Sequence, residues 1–249
     1  LPIYKLNMQN KKKIIISSNS TWFTYNFRLG LVKSLLEDYE VYILSPKDDF
    51  SKFFEEIGCK LIDIKIQRSG TNIFSEISLL LKYFFTYAHI KPDLILSFSI
   101  KPNIYGSIAG NILFIPSINN ITGLGTTFIT QSVVTRLIIY LYRIALSGRN
   151  IVFFQNRDDL ELFVNRKIIS LNKTKVIPGS GINLNRFKSS ETVFNKHPKF
   201  LLIARLLKDK GINEFVKAAE ILKIKNKNLE FNLLGPVDLE NKTAIPKSQ

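Results

Sequence analysis

The stretch Lys13–Asn26, KIIISSNSTWFTYN, decides how the rest of the chain is read. Its three consecutive isoleucines show no polar alternation, so a strand over Lys13–Ser18 is expected to be buried on both faces, as in a parallel sheet covered by helices. The segment that follows, SSNSTWFTYN, contains no glycine, and a helical period sets in near residue 24. Outward from it the same alternation continues. Short β-branched runs predict further strands at 40–45, 60–65, 93–97, 113–118, 150–154, 174–177, 199–204 and 230–234. Helical periods separate them near 24–38, 50–57, 72–89, 101–111, 129–147, 157–167 and 212–225. Strand-helix alternation of this length predicts an α/β fold with doubly wound parallel sheets.

Local chemistry marks some boundaries. Asn156 precedes Arg157-Asp158-Asp159 and a helical run, so it is expected to cap that helix while the aspartates complement its dipole. A polar, proline-ended stretch interrupts the periodicity after Phe187. The expected organisation is therefore a first Rossmann-like domain at 1–188, a linker at 189–198, and the start of a second domain at 199–249. The second holds one strand-helix-strand unit, less than such a domain needs to cover its sheet.

Composition narrows the function classes. The chain has 249 residues, 45% of them apolar, and a formal net charge of +15. The basic excess is spread along the chain and favours anionic partners as a class: nucleic acid, an anionic membrane surface or phosphorylated small molecules. The longest apolar run, Gln131–Leu146, is broken by Arg136 and Arg143, and the run at 77–90 by Lys82 and His89. Neither approaches the roughly 18 uninterrupted apolar residues of a membrane span. A cytoplasmic protein is expected. Cys59 is the only cysteine and reads as a small core residue, and His89 and His197 lie in no metal or triad motif.

The glycine pairs Gly123/Gly125 and Gly179/Gly181 lack the third glycine of a dinucleotide fingerprint, since Phe128 and Leu184 stand in its place. No P-loop sequence and no Asp-x-Asp pair occur. Each glycine pair nevertheless follows a strand-like run, as does Ser99–Ser107 (SIKPNIYGS), so all are placed at carboxyl ends of strands, where open α/β sheets bind ligands. In Ala204–Gly211, ARLLKDKG, an arginine follows a strand, a lysine comes five residues later and a glycine opens a helix. A planar cationic fork, a point charge and free helix amides are the complements of a diphosphate.

The ordered stretches NFRLGLVKSL (26–35), KPDLILSFSIKPNIYGSIAG (91–110), NNITGLGTTF (119–128), FFQNRDDLELF (153–163), VIPGSGINLNRF (176–187), LLIARLLKDKGINEFVKAAEIL (201–222) and FNLLGPVD (231–238) resemble family 4 glycosyltransferases. The likeness is greatest to the branch that adds N-acetylhexosamine-type sugars to lipid-linked glycans of bacterial surfaces. It implies a GT-B fold, two Rossmann-like domains, and a retaining transfer from a nucleotide-diphosphate sugar, UDP-linked, without metal or cofactor. Arg205 and Lys210, with Gly211, match the family's basic donor-diphosphate residues by position and type. Acceptor or cleft contacts are expected from Asn19, Ser20, Lys101, Asn103, Thr122, Gly123, Gly125, Gly179 and Gly181, and no catalytic base is assigned. The implied partners are a nucleotide-sugar donor, a lipid-linked saccharide and the anionic inner face of the cytoplasmic membrane, and no nucleic acid. The family's Glu-x7-Glu motif has no counterpart up to Gln249, so this chain by itself is expected to be inactive. The rival readings are a GT-B sugar epimerase and a non-catalytic basic α/β module binding membrane or nucleic acid.

Overall fold

The computed structural model describes residues 11–67, 72–124, 128, 132–189, 198–237 and 243–245. The chain divides into two compact units, Leu1–Asn183 and Leu184–Gln249. Most of the expected linker, 190–197, lies outside the described residues.

The first unit is built on a seven-stranded sheet in the order β3-β2-β1-β4-β5-β6-β7. Its strands are β1 (Lys13–Ser17), β2 (Glu40–Ser45), β3 (Lys60–Asp63), β4 (Leu94–Phe98), β5 (Ser117–Ile121), β6 (Asn150–Phe154) and β7 (Thr174–Val176). All neighbouring pairs run parallel, with Ile15 of β1 facing Tyr42 of β2 and Ile95 of β4. The isoleucines of β1 are buried because helices cover both sides. Ile14 and Ile16 pack with Val41, Ile43 and Phe98 beneath α1 (Thr21–Asp38) and α2 (Ser51–Glu56). Ile15 points the other way, towards Tyr83 and Tyr87 of α3 (Ile73–Ile90). On that second side α4 (Ser107–Ile112) packs between α3 and α5 (Val133–Ala145), and α6 (Arg157–Asn165) joins Phe163 to the aromatic cluster of Phe128, Tyr142 and Phe154.

Among the boundaries that differ from the sequence expectation, two lie around α4. The fifth strand, expected at 113–118, occupies Ser117–Ile121. Residues 113–116 instead close α4, with Phe114 in the left-handed region at φ 58° and the Ile115 amide donating back to the Gly110 carbonyl. Asparagine is disfavoured in strands, yet Asn119 lies in this one with its side chain bonded to Asn103, Ser107 and Ser117, and Asn120 follows it with its backbone carbonyl accepting from Asn103. The helix expected from 101 begins as a π-helical turn, Pro102–Gly106, before α4. The Asn156 cap is as the sequence predicts, its Oδ1 accepting from the Asp159 amide at 2.7 Å.

In the second unit β8 (Lys199–Ile203) pairs in parallel with β9 (Glu230–Leu234), connected through α7 (Ile212–Lys225). Phe200 stacks on Phe231 with ring centroids 4.9 Å apart, and Phe215 meets Phe231 edge-on. Much of its apolar surface stays in water: Leu201, Ile203 and Leu234 are each more than half exposed.

Candidate functional site

The sheet order places β1 beside β4, and their following connections leave in opposite directions. A crevice therefore opens at the carboxyl edge between the loops that follow these two strands, the position at which open α/β sheets take ligands. On the β1 side Ser20 caps α1 and accepts the Phe23 amide at 3.1 Å. Ser18 Oγ donates to the Ser20 carbonyl and bonds Thr24 Oγ1 at 2.8 Å, which holds Asn19 at the turn. Asp48, from the loop after β2, accepts the Trp22 amide at 2.9 Å, the Phe50 amide at 2.9 Å and the Thr21 hydroxyl. Burial works to raise the Asp48 carboxyl, but these donors together hold it below the usual carboxylate value. The capping starts α1 at Thr21, earlier than the expected 24. It also takes the first-turn amides on which a dinucleotide fold would seat its pyrophosphate.

On the β4 side Ser99 stands in the left-handed region at φ 75°, a conformation that costs a non-glycine residue about 1–2 kcal/mol, and its carbonyl accepts the Asn103 amide. The π-helical turn lies close to the sheet. A Cβ on Gly106 would come within 3.0 Å of the Tyr87 hydroxyl and 3.5 Å of Ser97 Oγ. Lys101 forms an ion pair with Glu76 in the first turn of α3, and both side chains are largely buried. Burial, then the adjacent Glu76 carboxylate, pushes the Tyr105 hydroxyl upward. Glu76 is thus a crevice-edge carboxylate that sequence reading missed, because 25 residues separate it from its lysine.

Asn103 is corrected from a cleft ligand to an interior one. It is 1% exposed, its Nδ2 donates to the Asn120 carbonyl at 3.0 Å, and its Oδ1 accepts from Asn119 at 3.2 Å. Asn119 also donates to Ser107 Oγ at 2.6 Å and accepts from Ser117 Oγ at 2.9 Å. This network locks the π-helical turn to β5, so Asn103 shapes the crevice from beneath. Arg28 is a second residue that patterning did not single out. It lies buried on α1 with its guanidinium 4.6 Å from the Phe98 ring centre, and Nη1 donates to the Phe27 carbonyl. Desolvation lowers its pKa from the ordinary arginine value.

Of the remaining expected residues, Thr122 and Gly123 are exposed just past β5, and Gly125 lies outside the described residues. Gly179 is half-buried and Gly181 exposed, at φ 74° and 70°, positive angles that the turn after β7 needs. Gln155 donates to Ser180 Oγ at 3.3 Å, tying the loops after β6 and β7 together.

The second unit carries the basic set. Arg205 follows β8, Lys210 closes a short 3₁₀ turn, Lys208–Lys210, and Gly211 at φ 75° is the N-cap of α7 without a capping side chain. Buried Leu207 anchors this loop, bridging to Ala244. The cations are exposed around Asp209, whose carboxyl is held below its usual value by the Thr243 hydroxyl and then by the charges of Lys210 and Arg205. Arg205 and Lys210 thus share one electrostatic neighbourhood. No cluster of three metal-ligating side chains occurs among the described residues.

Residues 13–156, which contain this crevice, match the family described as Glycosyl transferase 4-like. The chain is 30% identical over 236 residues to the N,N'-diacetylbacillosaminyl-diphospho-undecaprenol alpha-1,3-N-acetylgalactosaminyltransferase of Campylobacter jejuni, covering 86% of this chain and 61% of the relative. Among solved structures it resembles Anabaena HepE in complex with UDP and glucose, at TM-score 0.64 and 18% identity over 89% of this chain and 60% of that one. Sucrose-phosphate synthase from Thermosynechococcus elongatus gives TM-score 0.62 and 14% identity over 94% and 65%. The chain spans about three-fifths of the length of the first of these relatives in each comparison. The structural likenesses establish an α/β fold of the GT-B type. Because the family match covers more than half of the chain, including the whole switch-point crevice, this protein belongs to the glycosyl transferase 4-like family.

Proposed function

We propose that the chain is the acceptor-side domain, with the beginning of the donor domain, of a retaining, metal-independent glycosyltransferase. The donor is a nucleotide-diphosphate sugar, a UDP-N-acetylhexosamine or UDP-hexose, and the acceptor is a lipid-linked saccharide of bacterial surface-glycan synthesis. The observation that carries this reading is the 30% identity, over 86% of the chain, to a transferase named for a diphospho-undecaprenol acceptor. The geometry agrees with it. Departure of the nucleotide diphosphate leaves negative charge, and Arg205, Lys210 and the amides at the start of α7 are the groups that would stabilise it. In this reading the acceptor side takes Ser20, Asn19, Lys101, Thr122 and Gly123, with the Gly179/Gly181 turn further along the same carboxyl edge and Asn103 supporting the crevice from the interior. Among the described residues no helix is long and apolar enough to cross a membrane. This reading sets the protein at the anionic inner face of the cytoplasmic membrane, where a lipid-linked acceptor is met.

The test is sugar transfer from radiolabelled UDP-sugars to a lipid-linked acceptor by the chain carried through its donor domain. Arg205→Ala or Lys210→Ala should each reduce turnover about tenfold to a thousandfold, the range for losing a stabiliser of transition-state charge. Lys208→Ala should leave it within about twofold, because nothing in this reading directs Lys208 at the diphosphate. Equal small effects from all three would overturn the donor assignment.

A further inference from the structure

The helices of the first unit have two kinds of outer surface, and the division does not follow the two sides of the sheet, since α6 flanks α5. α1, α2 and α6 each expose carboxylates: Glu37 and Asp38, Glu55 and Glu56, Asp158 and Glu161. α1 also exposes Trp22, Phe27 and Leu31, but its last turn carries Glu37 and Asp38. The layer formed by α3, α4 and α5 is unlike these helices. The solvent-facing positions of α3 are Asn72 at its cap, then Ile73, Phe74, Ile77, Ser78, Leu81, Lys82, Phe85 and His89. Those of α5 are Val133, Val134, Arg136, Leu137, Tyr140, Arg143 and Ile144. Not one exposed carboxylate occurs on these two helices, and Glu76, the single acid of the pair, is turned inward onto Lys101.

The apolar members form continuous stripes. Phe74, Ile77, Leu81 and Phe85 follow one side of α3 at spacings of three and four, and Val133, Leu137, Tyr140 and Ile144 do the same on α5. Since α4 packs between these helices, the stripes belong to one layer, and Ile112 and Phe114 at the end of α4 lie within it. Exposure reaches 80% at Phe74, 81% at Phe114 and 82% at Val133. Lys82 and Arg136 stand among these side chains, and so does Arg143, whose Nη2 donates to the Arg166 carbonyl while its charge remains. A surface joining aliphatic and aromatic side chains, cations and no anions is complementary to one class of partner, an anionic lipid surface. Charge-depleted protein interfaces also use aromatic side chains, but they gain nothing from a cation-only rim unless the partner is acidic.

We propose that the outer face of the α3-α4-α5 layer is the surface by which this protein rests on an anionic bilayer, with Phe74, Leu81, Phe85, Val133 and Leu137 entering the interfacial region and Lys82 and Arg136 meeting lipid phosphates. The proposal deepens the reading given above, because it names the face that meets the membrane. The amino ends of α3 and α5 carry Phe74 and Val133 to the carboxyl edge of the sheet, where the crevice opens and Lys101 pairs with Glu76. A lipid-linked diphosphate leaving the bilayer at that edge would meet the crevice mouth directly.

Vesicle flotation of the 249-residue chain tests the face without requiring sugar transfer, so its failure and the failure of the transferase reading are separable. Vesicles of equal parts phosphatidylglycerol and phosphatidylcholine should bind the wild type and release it as salt rises, and phosphatidylcholine alone should bind it far less. Leu81→Asp/Leu137→Asp should weaken binding more than about tenfold, since each change removes an apolar contact and adds a repelled charge. Lys82→Glu/Arg136→Glu should do the same. Ile224→Asp, at an exposed apolar site of α7, should not. All these positions are already exposed, and unchanged circular dichroism and melting would show that the variants fold. Binding unaltered in both double variants, no binding by the wild type, or equal loss with Ile224→Asp would each overturn the proposal. So would light scattering that shows a dimer dissolved by the same double variants, which would make the occupant a second copy of the chain.

Discussion

At the scale of single residues, two neighbouring tyrosines separate a paired hydroxyl from an unpaired one. Tyr83 and Tyr87 are both fully buried on α3, and burial pushes both hydroxyls upward. Tyr83 bonds Ser17 Oγ at 2.9 Å, whereas the Tyr87 hydroxyl, beside Gly106, has no hydrogen-bonding partner among the described residues. Tyr83→Phe should therefore cost about 1 kcal/mol in urea unfolding, and Tyr87→Phe should be neutral or stabilising, because it deletes a desolvated hydroxyl without orphaning a partner. Asn119→Ala should cost more, about 1–3 kcal/mol, since Ser107, Ser117 and Asn103 would each lose a bond inside the core. Cys59 is 5% exposed and burial raises its thiol to about 11, so a thiol reagent at neutral pH should label it only on unfolding. Fast labelling of the native chain would contradict that placement. The sequence allowed Cys59 to be read as core, because it follows Gly58 before a strand-like run. Asn119 could not be read that way, because its role depends on Asn103 and Ser107 from another element.

Elements begin and end where their orphan groups find partners. α1 starts at Thr21 because Ser20 and Asp48 take its first amides, and Asp48 comes from the loop after a different strand. The Asp48 carboxyl titrates lower in the folded chain than in the unfolded one. Its contribution to stability is therefore complete above the unfolded carboxylate value and is lost as the pH falls through the folded value. Wild type should lose urea stability between about pH 5 and pH 3 more steeply than Asp48→Asn, and the two curves should converge at the acid end. Parallel curves would remove Asp48 as the cap. α5 shows the reverse case. Its capping box, Ser132 with Thr135, is local, yet the helix was expected at 129–147, four residues before its start at Val133 and two past its end at Ala145, because an apolar run alone carries no stop signal.

At the scale of the whole molecule, the two units differ in how much surface they bury. β1 and β4 lie under helices on both sides, while β8 and β9 form a two-stranded pair with Leu201, Ile203 and Leu234 in water. A pair of strands with one helix gains too little burial to offset the ordering entropy that a full sheet overcomes. In native-state hydrogen exchange the amides of β8, β9 and α7 in this 249-residue chain should exchange orders of magnitude faster than those of β1 and β4. Equal protection would show that the second unit draws stability from more than its own contacts.

The chain's own order of residues determined the α/β class, the strand-helix alternation, the Asn156 cap and the basic pair Arg205 and Lys210, because those depend on periodicity and on neighbours within a few positions. Only the tertiary structure decided which residues meet. It joined Lys101 to Glu76, turned Asn103 inward onto Asn119, carried Asp48 to the start of α1, and gathered the apolar stripes of α3 and α5 into one layer whose outer face exposes no carboxylate. Each of these pairs lies tens of residues apart or depends on which side of a helix faces the sheet. Local propensity does not encode such partners, which are set by the packing of helices over a twisted parallel sheet.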